Sequence, residues 1–123
     1  MVSPLILIVD DDPMVLTEVG GLLQSAGFHS VSATNGLEGL KLLQALNPGL
    51  VILDVTMPEL DGMQTCRMIR ADQKYRNVPI LMMTASGDIR DMLEARKMGA
   101  DDYIVKPVDP AALIHKVERL LAR

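Results

Sequence analysis

Short apolar β-like runs alternate with longer helical patterns five times along this chain, with no internal repeat and no low-complexity linker. Parallel strands need a crossover connection, usually a helix, so the alternation reads as βα units built around one parallel sheet. The strand candidates are Leu5–Val9, His29–Ala33, Leu50–Leu53, Ile80–Thr84 and Tyr103–Val105. The first, third and fourth are continuously apolar, as expected of strands covered on both faces. Right-handed crossovers then put helices on both sides of the sheet, and ligands in such open sheets bind beyond the carboxyl ends of the strands.

Helix starts are legible. Asp12-Pro13 and Asp109-Pro110 each place a capping carboxylate before a proline at the first helical position. Asn35 with Glu38, and Asp61 with Gln64, have the spacing of a reciprocal capping box, and a further helix is expected to begin near Asp88. Gly27, Gly99 and the run Asn47-Pro48-Gly49 supply the stops. Leu113, Val117, Leu120 and Leu121 form one apolar stripe on the last helix, facing the sheet. A chain of 123 residues fits one domain with one core, so residues 1–123 are read as a single unit. With aromatic residues almost absent, that core must be built from Leu, Ile, Val, Met and Ala.

Three strand candidates end in residues that carry chemistry. Asp10 and Asp11 follow the first, Asp54 follows Leu50–Leu53, and Lys106-Pro107 follows the fifth. In a parallel sheet these ends meet at one edge. Adjacent carboxylates repel one another unless a cation intervenes, and an all-oxygen ligand set suits a hard ion such as Mg²⁺ better than zinc. Asp54 beside such a site is a candidate nucleophile towards a phosphoryl group. Lys106 supplies an ammonium to pair with Asp54 at rest and with a phosphoryl oxygen afterwards, and a cis bond to Pro107 would aim it inward. Thr84, before Ala85-Ser86-Gly87, offers a hydroxyl donor at the same edge.

These residues fall into four blocks: Ile8-Val9-Asp10-Asp11-Asp12, Leu53-Asp54-Val55-Thr56-Met57-Pro58-Glu59-Leu60-Asp61-Gly62, Met83-Thr84-Ala85, and Gly99-Ala100-Asp101-Asp102-Tyr103-Ile104-Val105-Lys106-Pro107. In that order, over the whole chain, they resemble the response-regulator receiver domain of two-component signalling, the CheY-like family. The resemblance implies a flavodoxin-like (βα)5 doubly wound sheet of order 2-1-3-4-5. It implies Asp54 as phosphoacceptor, and Mg²⁺ held by Asp10, Asp11, Asp54 and the backbone carbonyl of Thr56. Asp10 and Asp11 fill the acidic pair because they directly follow the strand, leaving Asp12 as helix cap. Lys106 would contact the phosphoryl group, Thr84 would be the switch hydroxyl and Tyr103 the switch aromatic, while Thr56, Ala85, Ser86 and Pro107 flank the site. Expected partners are a sensor histidine kinase or histidine phosphotransfer protein, and a downstream protein or fused output domain reached through the surface of the fourth helix, fifth strand and fifth helix. The resemblance also adds dimerisation that depends on phosphorylation. The expected role is signalling rather than enzymatic turnover.

Alternatives are constrained by the same residues. A flavodoxin-like cofactor binder would cradle phosphate after the first strand, where Asp10-Asp11-Asp12 would repel it. A phosphatase working through an aspartyl phosphate would want a second acid where Thr56 stands, and a receiver serving only as a docking module has no need of the complete set. The net charge of −4 without a Lys/Arg block argues against a dedicated nucleic-acid surface. Apolar runs fall well short of the roughly 20 residues that span a bilayer. No secretory leader is visible, and one cysteine, Cys66, allows no internal disulfide, so the cytoplasm is the expected compartment. Cys66 and the methionines, including Met82 and Met83, read as core packing, and His29 and His115 as ordinary surface. The last helical pattern reaches the end of the sequence, which fits a self-standing receiver or the receiver of a larger regulator or hybrid kinase.

Overall fold

The computed structural model describes residues 4–57 and 59–123, so the expectation attached to Pro58 lies outside the described residues. Five strands, β1 (Leu5–Val9), β2 (His29–Ala33), β3 (Leu50–Asp54), β4 (Ile80–Thr84) and β5 (Asp102–Val105), alternate with five helices. The helices are α1 (Pro13–Ser25), α2 (Gly36–Leu46), α3 (Gly62–Ala71), α4 (Ile89–Met98) and α5 (Pro110–Leu121), and a short 3-10 turn at Gln73–Tyr75 precedes β4. All strand pairings are parallel and the sheet order is β2-β1-β3-β4-β5, the flavodoxin-like doubly wound arrangement expected. Among the described residues, no helix is long and apolar enough to cross a membrane.

Successive side chains of a strand point to opposite faces, and the core divides accordingly. Leu7, Val9, Val51, Leu53, Ile80 and Met82 pack with Leu43 of α2, Cys66 and Ile69 of α3 and Ala95 of α4. Ile6, Ile8, Leu50, Ile52, Leu81 and Met83 pack with Val19 and Leu23 of α1 and Leu113, Val117 and Leu120 of α5. Burying each such side chain contributes about 1.5–3 kcal/mol, which is why β3 and β4, covered on both faces, are apolar at every position but their last. The methionine expectation holds for Met82 and Met83 but not throughout: Met14 and Met68 are 79% and 48% exposed.

The cap residues sit where their spacing predicts, but neither expected capping box closes reciprocally: Gln64 donates its N–H to Asp61 Oδ1 at 2.8 Å without a side-chain bond in return among the described residues. Asp12, Asn35, Asp61, Asp88 and Asp109 each accept a backbone N–H from the first turn of α1 to α5 in order. Glu38, however, reaches past Asn35 and accepts from Thr34 N–H at 3.1 Å. β3 runs one residue further than its apolar stretch and includes Asp54, because Val55 N–H still donates to Met83 O at 2.9 Å. β5 likewise starts one residue earlier, at Asp102.

Candidate functional site

Register brings the chemistry together. Val9 lies beside Leu53, Asp54 beside Met83 and Thr84 beside Val105, so the residues that end or follow β1, β3, β4 and β5 share one edge of the sheet. Asp10 is fully buried: its N–H donates to Ala33 O at 3.1 Å, its Oδ1 accepts from Asp12 N–H at 2.9 Å and its Oδ2 from Lys106 Nζ at 2.8 Å. Asp11 is exposed, and Asp12 turns away to cap α1 through Met14 N–H at 2.9 Å. Asp54, 4% exposed, holds Lys106 Nζ at 3.0 Å. Carboxylate oxygens of Asp10, Asp11 and Asp54 all lie within 4.8 Å of one another, and Asp12 is not one of the group.

Electrostatics follow from crowding. Burial pushes the Asp54 carboxyl up from the ordinary 3.8; the hydrogen bond from Lys106 opposes this, and the charges of Asp10 and Asp11 reinforce it. Burial alone would push the Lys106 ammonium down, but its hydrogen bonds to Asp10 and Asp54 outweigh that and hold it above the usual lysine range. Three carboxylates facing one ammonium leave an excess of negative charge that a divalent cation would balance, and their oxygen-only donors are those a hard cation takes. The residues therefore fit Mg²⁺.

The loop after β3 folds back on Asp54. Gly62 N–H donates to Val55 O at 2.8 Å, and a Cβ at position 62 would sit 1.9 Å from Asp54 O, so only glycine permits this approach. Glu59 adopts φ 65° in the same loop. The Lys106–Pro107 peptide is cis, and Lys106 N–H donates to Thr84 O at 2.7 Å, tying the ends of β4 and β5 together.

Not every expected residue points into the cluster. Thr84 is buried, but its hydroxyl accepts from Ser86 N–H at 3.0 Å and donates to Ser86 O at 3.3 Å, so it is engaged in its own turn. Tyr103 lies on β5, half-buried against the α2–α3–α4 side of the core, with Lys116 Nζ 5.7 Å from its ring centre. Thr56, Ala85 and Pro107 are exposed and Ser86 half-buried. His29 starts β2 at the opposite end of the sheet, and His115 is exposed on α5. Cys66 is buried, donates to Met98 O at 3.4 Å, and has its thiol pushed up to about 11, chiefly by burial.

Two charged clusters beyond the site escaped the sequence reading, which placed Asp101 and Asp102 only within a motif. Arg70 of α3 donates to Gly99 O at 2.8 Å, Tyr75 O at 2.9 Å, Val78 O at 2.7 Å and Asp101 Oδ2 at 2.8 Å, and Asp101 also accepts from Ile80 N–H at 2.8 Å. Asp102, almost wholly buried, accepts from Lys116 and Arg119 of α5. Their legible signal is the basic residue near the end of each helix.

Comparison with known proteins agrees with this geometry. The family pattern described as the response regulator receiver domain matches residues 6–118. The DNA-binding dual master transcriptional regulator RpaA of Synechocystis is 39% identical over 120 residues, covering 98% of this chain and 50% of that protein. The DNA-binding response regulator MtrA of Mycolicibacterium smegmatis is 38% identical over 118 residues, covering 96% and 50%. The chain thus spans about half the length of these curated relatives. Among solved structures, the chemotaxis protein CheY4 of Vibrio cholerae superposes with a TM-score of 0.92 at 30% identity, covering 97% of this chain and 99% of that one. The receiver domain of Francisella response regulator 1452 gives 0.91 at 30%, covering 98% of each. With the acidic cluster and lysine at the strand ends, on a sheet of order 2-1-3-4-5, this chain belongs to the family of response regulator receiver domains of two-component systems.

Proposed function

We propose that residues 1–123 form one receiver that accepts a phosphoryl group on Asp54 from the phosphohistidine of a sensor histidine kinase or histidine phosphotransfer protein. The observation that carries this reading is the Asp54 carboxylate itself, nearly buried, 3.0 Å from Lys106 Nζ and grouped with Asp10 and Asp11. An Asp54 oxygen attacks phosphorus in line, a P–O bond forms, and the P–N bond breaks with its electron pair returning to the imidazole. Asp10, Asp11, Asp54 and the backbone carbonyl of Thr56 would hold Mg²⁺, which when bound neutralises charge on the transferring oxygens. The chain's own contribution is positioning: β1 and β3 fix the carboxylates, and the loop closed by Gly62 fixes the Asp54 backbone. Lys106, released from Asp54 by loss of one carboxylate oxygen to phosphorus, pairs with a phosphoryl oxygen. Water later attacks phosphorus, the P–O bond to Asp54 breaks with its electron pair returning to the carboxylate, and inorganic phosphate leaves, assisted by the same groups. The domain is a signalling switch rather than an enzyme with turnover.

The added charge and acceptor oxygens draw the Thr84 hydroxyl from its turn, and Tyr103 rotates towards the space it leaves. The surface of α4, β5 and α5 changes with them as a population shift, presenting a face to a downstream protein, a fused output domain or a second copy. RpaA and MtrA are DNA-binding by name. Here DNA contact would belong to a partner or attached domain, since this chain carries net charge −4. These roles belong in the cytoplasm, beside the kinase's phosphohistidine. The test is intact-protein mass after acetyl phosphate and Mg²⁺, beside Asp54→Asn and a chelated sample. A single labile phosphoryl adduct needing both Asp54 and metal is expected. No adduct on protein with intact fold and measurable Mg²⁺ binding would overturn the reading in favour of a docking module.

A further inference from the structure

Between the end of β4 and the first turn of α4 the side chains of Thr84, Ser86 and Asp88 each accept the N–H two residues ahead. Ser86 N–H donates to Thr84 Oγ1 at 3.0 Å, Asp88 N–H to Ser86 Oγ at 3.1 Å, and Arg90 N–H to Asp88 Oδ1 at 2.9 Å. Asp88 is the N-cap of α4, and the Arg90 guanidinium returns to its other oxygen at 2.8 Å. Three side-chain turns of this kind share their residues head to tail, so each fixes the backbone from which the next is built. The first is doubly closed, because the single Thr84 hydroxyl hydrogen is directed at Ser86 O at 3.3 Å.

What these turns hold is the N-terminal part of a helix whose firmer ties lie at its other end, where Cys66 bonds to Met98 O and Arg70 to Gly99 O. Of the ten residues of α4 only Ala95 is fully buried, and Ile89 and Leu93 are 68% and 56% exposed. α5, by contrast, buries Leu113, Val117 and Leu120. An element with so few buried side chains opens locally at low cost, so the position of the first turn of α4 depends on its cap.

We infer that Ser86 and Asp88 form a latch tying the Thr84 hydroxyl to the N-cap of α4, so that Thr84 cannot turn towards Asp54 without loosening the first turn of that helix. The trigger rests on the phosphoacceptor reading above, whereas the latch belongs to the resting chain. A hydroxyl with one hydrogen cannot serve Ser86 O and a group on Asp54 together. Once it leaves, Ser86 N–H loses its acceptor, the residue is free to move, and its own hydroxyl no longer holds Asp88 in the capping position. The exposed Ile89 and Leu93 then shift with the turn that carries them.

The test is amide hydrogen exchange by NMR on the full chain. Thr84→Val removes the hydroxyl at nearly constant size and should speed exchange about fivefold at Ser86, Asp88 and Arg90 together, the scale on which a lost cap loosens a helix end. Ser86→Ala, at a half-buried position that does not threaten the fold, should speed exchange at Asp88 and Arg90 while leaving Ser86 N–H protected. Acceleration confined to Ser86 in the first variant, or to Asp88 in the second, would mean independent turns and overturn the latch. Adding beryllofluoride and Mg²⁺ to the unaltered protein should speed exchange at the same three amides, and unchanged exchange with the fluoride visibly bound would overturn the trigger. If no fluoride binds, the phosphoacceptor reading fails, while the variant series still decides the latch.

Discussion

Replacing Asp54 by asparagine should make the metal-free protein more stable. Oxygens of Asp10 and Asp11 lie within 4.8 Å of an Asp54 oxygen, and Lys106 Nζ lies at 3.0 Å. At an effective dielectric constant of about 20, the Asp10 repulsion costs about 3.5 kcal/mol, that of exposed Asp11 is screened below this, and the attraction to Lys106 contributes about 5.5 kcal/mol. Lysine therefore roughly offsets the two acids, and desolvation of a nearly buried carboxylate is what leaves the charged form penalised. Asparagine keeps the volume and can still accept from Lys106, which also retains Asp10 at 2.8 Å. The expected gain is about 1–3 kcal/mol, or a rise of roughly 4–12 °C in Tm. Its pH dependence has a definite sign. Burial and then the neighbouring acids raise the folded pKa above 3.8, so the penalty is absent below 3.8, grows as pH rises through the folded value, and is complete above it. Urea unfolding with chelator should show the gain at neutral pH and its disappearance in acid. Mg²⁺ should narrow the gap by stabilising the unaltered protein. Loss of stability in the variant at neutral pH, or a gain that persists undiminished in acid, would refute this account of the site.

Asp102 should behave oppositely. Its burial raises the pKa, but the N–H of Tyr103 together with Lys116 and Arg119 outweighs that and holds the carboxyl below 3.8. Asp102→Asn should cost about 1–2 kcal/mol, a loss present above 3.8 that vanishes as pH falls through the lower folded value, measurable in the same unfolding series. Arg70→Met should lower the urea midpoint by an amount equivalent to about 2–4 kcal/mol, since three carbonyls and a carboxylate lose their donor at a site 17% exposed. A change below about 0.5 kcal/mol, the level of an ordinary surface substitution, would show that water replaces the guanidinium without loss. Gly62→Ala meets only backbone, at 1.9–2.8 Å, and should cost at least about 1–3 kcal/mol while slowing adduct formation at Asp54, whereas Gly21→Ala, with nothing within 4 Å, should be neutral or slightly stabilising.

How much of this was legible follows from the range over which each interaction acts. Helix starts could be read because Asp12, Asn35, Asp61, Asp88 and Asp109 bond to backbone two or three residues away. Strands β1, β3 and β4 could be read because cover on both faces demands apolar side chains throughout. The acidic cluster was legible for a topological reason: a parallel sheet delivers all its strand ends to one edge, so Asp10, Asp54 and Lys106 had to be neighbours once the alternation was recognised. Hidden from such reasoning were contacts that depend on how separate elements approach. Arg70 meets Asp101 across 31 positions, and Gly62 is needed only because its loop returns to Asp54. Thr84 shows the remaining difficulty. Its hydroxyl was expected to serve an anion at the sheet edge, but an N–H two residues ahead offers a partner at almost no entropic cost.

That local preference and the charge crowding at Asp54 are two sides of one arrangement. Every other buried carboxylate is matched: Asp102 has two cations and a backbone donor, and Asp10 has Lys106 and the Asp12 N–H. Asp54 has only a shared ammonium against two neighbouring acids. Meanwhile the hydroxyl best placed on the next strand is occupied elsewhere. A site satisfied at rest would gain nothing by changing state, because a ligand shifts an equilibrium only by its differential affinity for the two forms. Here the resting form carries a buried carboxylate whose ammonium is shared with Asp10 and a donor held in its own turn. On the proposed function both would be offset when a cation and an anion arrive together, and the local conflicts that cost stability would then be what makes the domain responsive.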